Sequence, residues 1–220
     1  MTFFKKIITA VLQLEARLIL QRYNPEIIAV TGNVGKTSTK DAIFEVVKNL
    51  ASARCSLKTY NSEIGVPLAI LGRPSAWQSP FGWLANIYAG LRLILFGGQY
   101  PEILVLEAGA DHPGDIEKIS KLLKPHIAVI TAVGEIPAHV EFFAGPEDIA
   151  AEKSKILADL EAKDFAILNF DDFAVLGMRR ESRGSVLTYG FGEGADIRAT
   201  DYKIMYHQAG VLGKPKGITF

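Results

Sequence analysis

Apolar and polar residues follow one another along the chain in blocks that predict strands and helices in turn. Continuous apolar runs are typical of strands buried on both faces, and they occur at Ile27–Thr31, Ile103–Glu107, Ile127–Val133 and Phe165–Asn169, with further strands at Ala53–Leu57 and Ser185–Tyr189. Helical spacing is found at Lys36–Leu50, Val66–Leu71, Asp115–Leu123, Pro146–Leu160 and Asp171–Arg180. This order predicts an α/β fold, a mostly parallel sheet with helices on both faces.

The first 24 residues predict an amphipathic helix. Its apolar positions, at helical spacing, are Leu12, Ala16, Ile19 and Leu20. It should end before Asn24, since a residue preceding proline avoids the helical region. Polar residues interrupt the apolar stretch and no small-residue cleavage site follows, so this segment is not read as a secretory signal.

A second apolar stretch, Trp83–Phe96, has 14 residues. A membrane span takes about 20 residues, so this stretch is too short to cross a bilayer. One interpretation is a helix packed on the domain. The alternative is an interfacial helix at a membrane surface, with Trp83, Tyr88 and Phe96 as anchors.

The pattern changes after Gly190, where glycines punctuate short alternating runs such as Ile197–Tyr202. These runs predict a small antiparallel appendage. We therefore expect three parts: a helix at 1–24, an α/β domain at 25–190, and at 191–220 either a β appendage or the start of a link to a further domain.

The composition and net charge exclude several classes of function. The 220 residues carry 24 Lys and Arg and 24 Asp and Glu, so the net charge is zero. A zero balance argues against a broad nucleic-acid binder, which draws its affinity from excess basic residues. Cys55 is the single cysteine, which excludes an internal disulfide and zinc sites with two cysteine ligands. These features fit a reducing compartment, and we expect the cytoplasm.

A glycine-containing loop, residues 32–38, joins the first strand to the helix predicted at Lys36–Leu50. Gly32 and Gly35 let the backbone turn tightly and approach an anion, and amides at a helix start favour phosphate. Lys36 would cap the β- and γ-phosphates, and the Thr37 hydroxyl would ligate Mg²⁺. The first glycine of the full phosphate-loop motif is absent, since Val30 stands there. The alternative is a glycine turn that caps an ordinary βα unit. The apolar side of this helix is predicted at Ala42, Ile43, Val46, Val47 and Leu50.

Polar residues follow three of the predicted strands, at the edge where α/β sheets bind ligands. Glu107 ends one strand and could hold Mg²⁺, or it could be a solvated strand end. His139 lies beyond another and could bind a metal or an anionic substrate, or be a surface residue. Asn169 and the adjoining Asp171 and Asp172 could reach a nucleotide, and helix capping by the aspartates is an equal alternative.

Six stretches, in this order along the chain, resemble the central ATPase domain of the Mur ligase family, in the MurF type. They begin at Val30 (VTGNVGKTSTKD), Tyr60 (YNSEIGVPL), Leu106 (LEAGADHPGD), Ala138 (AHVEFF), Ala151 (AEKSKI) and Leu168 (LNFDD). The resemblance covers about residues 26–200. Two departures are mild: Ser62 stands where the pattern usually has asparagine, and Ala108 where it has methionine.

The resemblance implies roles for individual residues. ATP would be bound by Gly32, Asn33, Val34, Gly35, Lys36, Thr37, Ser38 and Asn169. Two Mg²⁺ ions would be held by Thr37, Glu107, His139 and Lys153, the last of these as a carbamate formed with CO₂. Lys36, His139 and Lys153 would be the catalytic residues, and Asn61 and Ser62 would contact the substrate. From the residues alone, nothing distinguishes Lys153 from its neighbours on a solvated helix face.

The resemblance also implies a reaction: D-alanyl-D-alanine is added to UDP-N-acetylmuramoyl-tripeptide through an acyl phosphate. Family members carry an N-terminal domain that binds the UDP-sugar and a C-terminal domain that closes over ATP, which this chain does not offer. Three hypotheses stay open. The chain is the central domain of such a ligase, an ATP-binding module that needs a partner domain in trans, or part of a folylpolyglutamate-type or MurE-type ligase. No nucleic-acid partner is expected.

Overall fold

The computed structural model describes residues 3–56, 60, 62–77, 79–134, 143, 145–206 and 215–219. The helices are α1 (Phe3–Tyr23), α2 (Lys36–Val47), α3 (Gly65–Leu71), α4 (Pro80–Phe96), α5 (Asp115–Leu123), α6 (Pro146–Ser154) and α7 (Phe173–Gly177). The strands are β1 (Glu26–Thr31), β2 (Ala53–Cys55), β3 (Ile103–Glu107), β4 (Ile127–Ile130), β5 (Phe165–Asn169), β6 (Ser185–Gly190), β7 (Ile197–Arg198), β8 (Lys203–Tyr206) and β9 (Pro215–Thr219).

Strands β1 to β7 form one sheet in the order β2-β3-β1-β4-β5-β6-β7, and every neighbouring pair is parallel. The α/β prediction is therefore confirmed. The chain leaves β1 toward β3 on one side and later returns to β4 on the other. Ligands bind at such a switch point, outside the carboxyl ends of the strands. The loop that follows β1 lies at that position.

Helices cover both faces of the sheet, as predicted. The larger core joins alternate strand residues such as Ala29, Leu104 and Ile130 to side chains of α1, α3, α5 and α6. On the opposite face, the core residues are Ile28, Val30, Val105 and Val129, packed against Ile43, Phe44 and Val47 of α2. Parallel strands need this cover on both faces, which is why β1 is almost continuously apolar.

The apolar side predicted for α2 is partly wrong. Ile43 and Val47 pack on the sheet, but Ala42, Val46 and Leu50 are exposed. Lys40 is instead the buried residue of this helix. Its ammonium donates a 2.7 Å hydrogen bond to the carbonyl oxygen of Ser56 and pairs with Asp41, and these polar partners allow a cation to be buried.

Helix α1 follows the sequence prediction, with Leu12, Ala16 and Ile19 fully buried in the larger core. It packs against α3 and α4, so 83–96 does lie in a helix packed on the domain, and the alternative of an interfacial helix stays a prediction. Trp83 is only half-exposed, since its ring packs on the core and its indole donates to the carbonyl oxygen of Trp77. Among the residues that the structure describes, no helix is both long and apolar enough to cross a membrane.

The expectation for the C-terminal region is half right. Ile197–Arg198 does not belong to an antiparallel unit. It pairs in parallel with β6 and extends the main sheet, because the carboxylate of Asp196 binds the backbone and hydroxyl of Thr188 and fixes the returning chain beside that strand. Strands β8 and β9 do form an antiparallel pair, as predicted. The domain boundaries at 24 and 190 stay predictions.

Candidate functional site

The loop between β1 and α2 takes the conformation that its glycines were expected to provide. Gly35 has φ 85° and stands directly before α2. Gly32 has φ 141°, and a Cβ there would lie 2.1 Å from the hydroxyl of Thr131. Both positions therefore require glycine. Within the described residues, no side chain caps the first turn of α2, so its amides face outward as an anion site would need.

Two of the loop residues expected to bind ATP are anchored within the protein. The amides of Asn33 and Val34 both donate to the carbonyl oxygen of Ala132, at 2.6 and 3.3 Å. The Asn33 side chain donates to the carbonyl oxygen of Val133, and the Thr131 hydroxyl to that of Val34. This part of the loop is held against the segment after β4. The loop amides that can meet a phosphate are therefore those at the start of α2.

The central contact of the site joins the first turn of α2 to the end of β3. The Thr37 hydroxyl donates a 2.8 Å hydrogen bond to the carboxylate of Glu107. Glu107 is 1% exposed, and it is positioned because Val30 and Glu107 are register partners at the ends of β1 and β3. A hydroxyl and a carboxylate oxygen are ligands that Mg²⁺ accepts. These two groups fit the metal that the sequence implied.

Two lysines converge on this region. Lys36 donates to the carbonyl oxygen of Asn33 at 3.1 Å. Burial lowers its pKa, and the nearby Glu107 opposes that shift. Lys153 lies on α6 and is only 4% exposed. Burial, and next the charge of Lys36, lower its pKa to about 8, against the opposing effect of Glu152. Lys153 is therefore not on a solvated face.

Sequence reasoning missed Glu152, which precedes Lys153. Its carboxylate is buried and accepts 2.9 Å hydrogen bonds from the amides of Gly114 and Ile116, at the start of α5. Lys155 pairs with it. The contact fixes α6, and with it Lys153, against the segment that follows β3. The spacing of the buried Ile149 and Ile156 around this pair was the signal available in the sequence.

The polar residues after β5 act chiefly within the fold. The Asn169 side chain accepts a hydrogen bond from the amide of Asp171. Asp172 caps α7 at Val175 and also accepts from the amide of Val133. Burial alone would raise the pKa of Asp172, but backbone donors around it hold that pKa below its usual range. The capping alternative thus holds for Asp172, and a nucleotide contact by Asn169 stays a prediction.

The substrate residues are only partly described. Ser62 accepts a hydrogen bond from the amide of Gly65 at the start of α3. It lines a cavity of about 430 Å³ together with Gly109 and Asp111, which follow the strand that ends in Glu107. Asn61 and His139 lie outside the described residues. In the described ranges, no three His, Cys, Asp or Glu side chains group as metal ligands, so the two-metal site stays a prediction.

Comparison with known proteins agrees with this geometry. A family model for the Mur ligase middle domain matches residues 85–217. The UDP-N-acetylmuramoyl-tripeptide--D-alanyl-D-alanine ligase of Bacillus subtilis (strain 168) is 30% identical over 194 residues, 88% of this chain and 36% of the ligase. The enzyme of that name from Synechocystis sp. is 32% identical over 181 residues, 82% of this chain and 34% of its own length.

A solved structure shows the same relationship. The MurF ligase of Thermotoga maritima in complex with ADP superimposes with a TM-score of 0.69 at 30% identity, covering 91% of this chain and 40% of that one. The chain thus spans about a third of the length of the curated relatives that it matches. With the family model matching more than half of its residues, the chain belongs to the Mur ligase family and corresponds to its middle domain.

Proposed function

We propose that this chain is the ATP- and Mg²⁺-binding core of an ATP-dependent amide ligase of peptidoglycan precursor synthesis. The observation that carries the proposal is the 2.8 Å contact between the Thr37 hydroxyl and the buried Glu107 carboxylate. We take these two oxygen atoms, at the uncapped start of α2, as ligands of Mg²⁺. A phosphate bound at that helix start would lie next to them, as phosphoryl transfer requires.

The chain's own residues divide the work of binding. The first-turn amides of α2 receive the phosphate oxygens, together with the positive end of the helix dipole. Lys36 leaves the Asn33 carbonyl and pairs with the β- and γ-phosphates. Thr37 and Glu107 would hold Mg²⁺. The ion would neutralise negative charge on the phosphate groups.

The proposed reaction is that named for the relatives, which are ligases of D-alanyl-D-alanine and UDP-N-acetylmuramoyl-tripeptide. The tripeptide carboxylate attacks the γ-phosphorus of ATP, and ADP leaves, which gives an acyl phosphate. The amine of D-alanyl-D-alanine then attacks the acyl carbon, loses a proton and expels inorganic phosphate. Positive charge around the transferring group, from Lys36 on this chain, stabilises both steps.

We further propose that Lys153 is carbamylated. Burial lowers the pKa of Lys153 to about 8, so a far larger fraction of this side chain is neutral near pH 7 than for an ordinary lysine. The neutral amine is the form that attacks CO₂. The product is an anion, which would relieve the repulsion between Lys153 and Lys36. With His139 it would hold the second metal ion.

The site also suggests where the substrate that carries the reacting carboxylate, UDP-N-acetylmuramoyl-tripeptide, lies. Ser62 shares a cavity with Gly109 and Asp111, directly beyond the end of β3. A carboxylate seated there would approach the γ-phosphate from the side of Glu107. Asn61 adjoins Ser62 and would contact the same substrate. We expect this chemistry in the cytoplasm.

Nucleotide binding tests the proposal directly. Titration of the chain with ATP and Mg²⁺ should show binding, and Lys36→Ala should weaken it by about tenfold or more, through loss of a charged contact to phosphate. Lys163→Ala is the matched control, because Lys163 is exposed and lies before β5, away from the loop. Equal affinity of Lys36→Ala and the parent would overturn the assignment.

Ligation needs a separate experiment. The chain is incubated with ATP, Mg²⁺, UDP-N-acetylmuramoyl-tripeptide and D-alanyl-D-alanine, alone and with a family C-terminal domain in trans, and the pentapeptide product and phosphate are measured. We expect product only with the added domain, because lid closure completes such sites. Binding of ATP without product in either case would favour the second candidate, an ATP-binding module without ligase activity.

A further inference from the structure

Helix α4 is apolar on nearly all sides, yet only one side of it is covered. Asn86 and Gly90 are buried against the domain. The opposite side presents an exposed row at helical spacing, namely Phe81, Leu84, Tyr88, Leu91 and Leu95. Phe96, at the helix end, is 81% exposed. A helix that is apolar all round is normally buried, so the row indicates a surface that another body covers.

Helix α1 extends this surface. It packs directly against α4, through the hydrogen bonds of Arg22 and Tyr23 to carbonyl oxygens near the end of α4. Its own exposed apolar residues are Ile7, Leu14 and Leu18, spaced so that they share one side of the helix. We call these three residues and the five of α4 the apolar row.

The exposed charges that α1 and α4 themselves carry have one sign. The two helices carry five basic residues, all exposed, which are Lys5, Lys6, Arg17, Arg22 and Arg92. Their single acidic residue, Glu15, is 2% exposed and faces Gly90 inside the interface. Arg17, Arg22 and Arg92 each follow a residue of the apolar row by three or four positions, so they lie beside it on the helix surface. This excess stands out in a chain whose net charge is zero.

We propose that the apolar row docks on an anionic lipid bilayer, with α1 and α4 lying in the interface and the basic residues on lipid headgroups. Apolar and aromatic side chains flanked by Lys and Arg are the features that bind such surfaces. A second copy of this chain fits less well, because a symmetric contact would bring like charges together without acidic partners. This proposal is independent of the ATP site.

Vesicle binding tests the proposal with the chain as it is. Vesicles of phosphatidylcholine, with and without phosphatidylglycerol, are mixed with the chain and floated on a gradient. The exposed Trp77 lies just before α4 and Trp83 lies in its first turn, so tryptophan emission reports contact of this region with lipid. We expect binding to the anionic vesicles, a blue shift of that emission, and a loss of binding as salt is raised.

Variants separate the two parts of the surface. Phe81→Ser with Leu84→Ser should abolish binding, while Phe173→Ser, at a 90% exposed position on α7, should leave it unchanged. Arg17→Glu with Arg92→Glu should weaken binding to anionic vesicles by about tenfold or more. The far-UV circular dichroism spectrum should be the same in all of these variants, which shows that they are folded and keeps this test separate from that of the ATP site.

Any of the following results would overturn the proposal. The first is a chain that binds neither kind of vesicle. The second is equal binding to neutral and anionic vesicles, or binding that survives the Phe81 and Leu84 substitutions. The third is a parent chain that does not bind vesicles but forms a dimer in sedimentation, which these substitutions dissociate. The occupant of the apolar row would then be a second copy.

Discussion

The contact between Thr37 and Glu107 shows how far single residues could be predicted from the sequence. A hydroxyl after β1 and a carboxylate at the end of a neighbouring strand were expected to share one metal ion, and the structure places them in direct contact. The anchoring of Asn33 and Val34 could not be foreseen, because their shared partner, the carbonyl of Ala132, is brought to them only by the pairing of β1 with β4. Strand-end rules locate a site but do not say which amides remain for the ligand.

At the same scale, the state of Lys153 can be measured without any ligase activity. With a pKa of about 8, on the order of a tenth of this side chain is neutral at pH 7, far more than for an ordinary lysine. In ¹³CO₂-equilibrated buffer we therefore expect a carbamate signal in the ¹³C spectrum that Lys153→Arg removes. Lys163→Arg should keep it. A spectrum without the signal, or one that Lys153→Arg leaves intact, contradicts carbamylation.

Glu15 makes a prediction about pH. Its carboxyl oxygens are buried without a hydrogen-bond partner in the described structure, and this burial raises its pKa from 4.5 to about 7. The folded state thus holds the proton more tightly than the unfolded state. The stability that this proton gives is complete below pH 4.5 and is lost as the pH rises through 7.

Substitution of Glu15 by Gln should therefore stabilise the chain in alkaline solution. The free energy of unfolding is measured for Glu15→Gln and for the parent, and the difference between the two is taken at each pH. We expect this difference to favour the variant more at pH 8 than at pH 4.5, by on the order of 3 kcal/mol. Urea unfolding at the two pH values measures this difference. Glu102→Gln, at an exposed position, is the control and should show little change. A Glu15→Gln effect that does not vary with pH would argue against a buried, titrating carboxyl.

At the scale of elements, periodicity predicted the type of most segments but not always their buried side. Strands β1, β3, β4 and β5 were evident because their apolar runs are covered on both faces. The prediction for helix α2 was partly wrong, since Val46 and, beyond the helix end, Leu50 are exposed, while the buried residue Lys40 is charged. A pattern cannot reveal that Ser56 and Asp41 supply partners for a buried ammonium.

Helix α1 offers a matched pair of positions. Leu12 is fully buried in the larger core, whereas Leu14, two residues later, is 55% exposed. Leu12→Ala should lower the free energy of unfolding by about 2–5 kcal/mol, the usual cost of a core cavity, and Leu14→Ala by less than about 0.5 kcal/mol. Urea denaturation compares the two. Equal small effects would show that α1 is detached from the core and would support a boundary at residue 24.

At the scale of the whole molecule, the sequence predicted the fold class and the edge of the sheet that carries the site. It could not predict the strand order, nor that Ile197–Arg198 joins the main sheet in parallel with β6, because two residues have no period to detect. The apolar row on α1 and α4 likewise emerges only when two distant segments pack together. The fold places this row on helices and the glycine-containing loop at the strand ends, so the two proposed contacts are separate.

The most direct measurement is the affinity for ATP with and without Mg²⁺, by calorimetry, for the parent chain, Thr37→Val and Glu107→Gln, with Glu102→Gln as the charge-matched control. If Thr37 and Glu107 hold the ion beside the phosphates, Mg²⁺ strengthens ATP binding in the parent and the control, and each site variant loses most of that gain. Mg²⁺-dependent binding that is unchanged in both site variants would contradict the account.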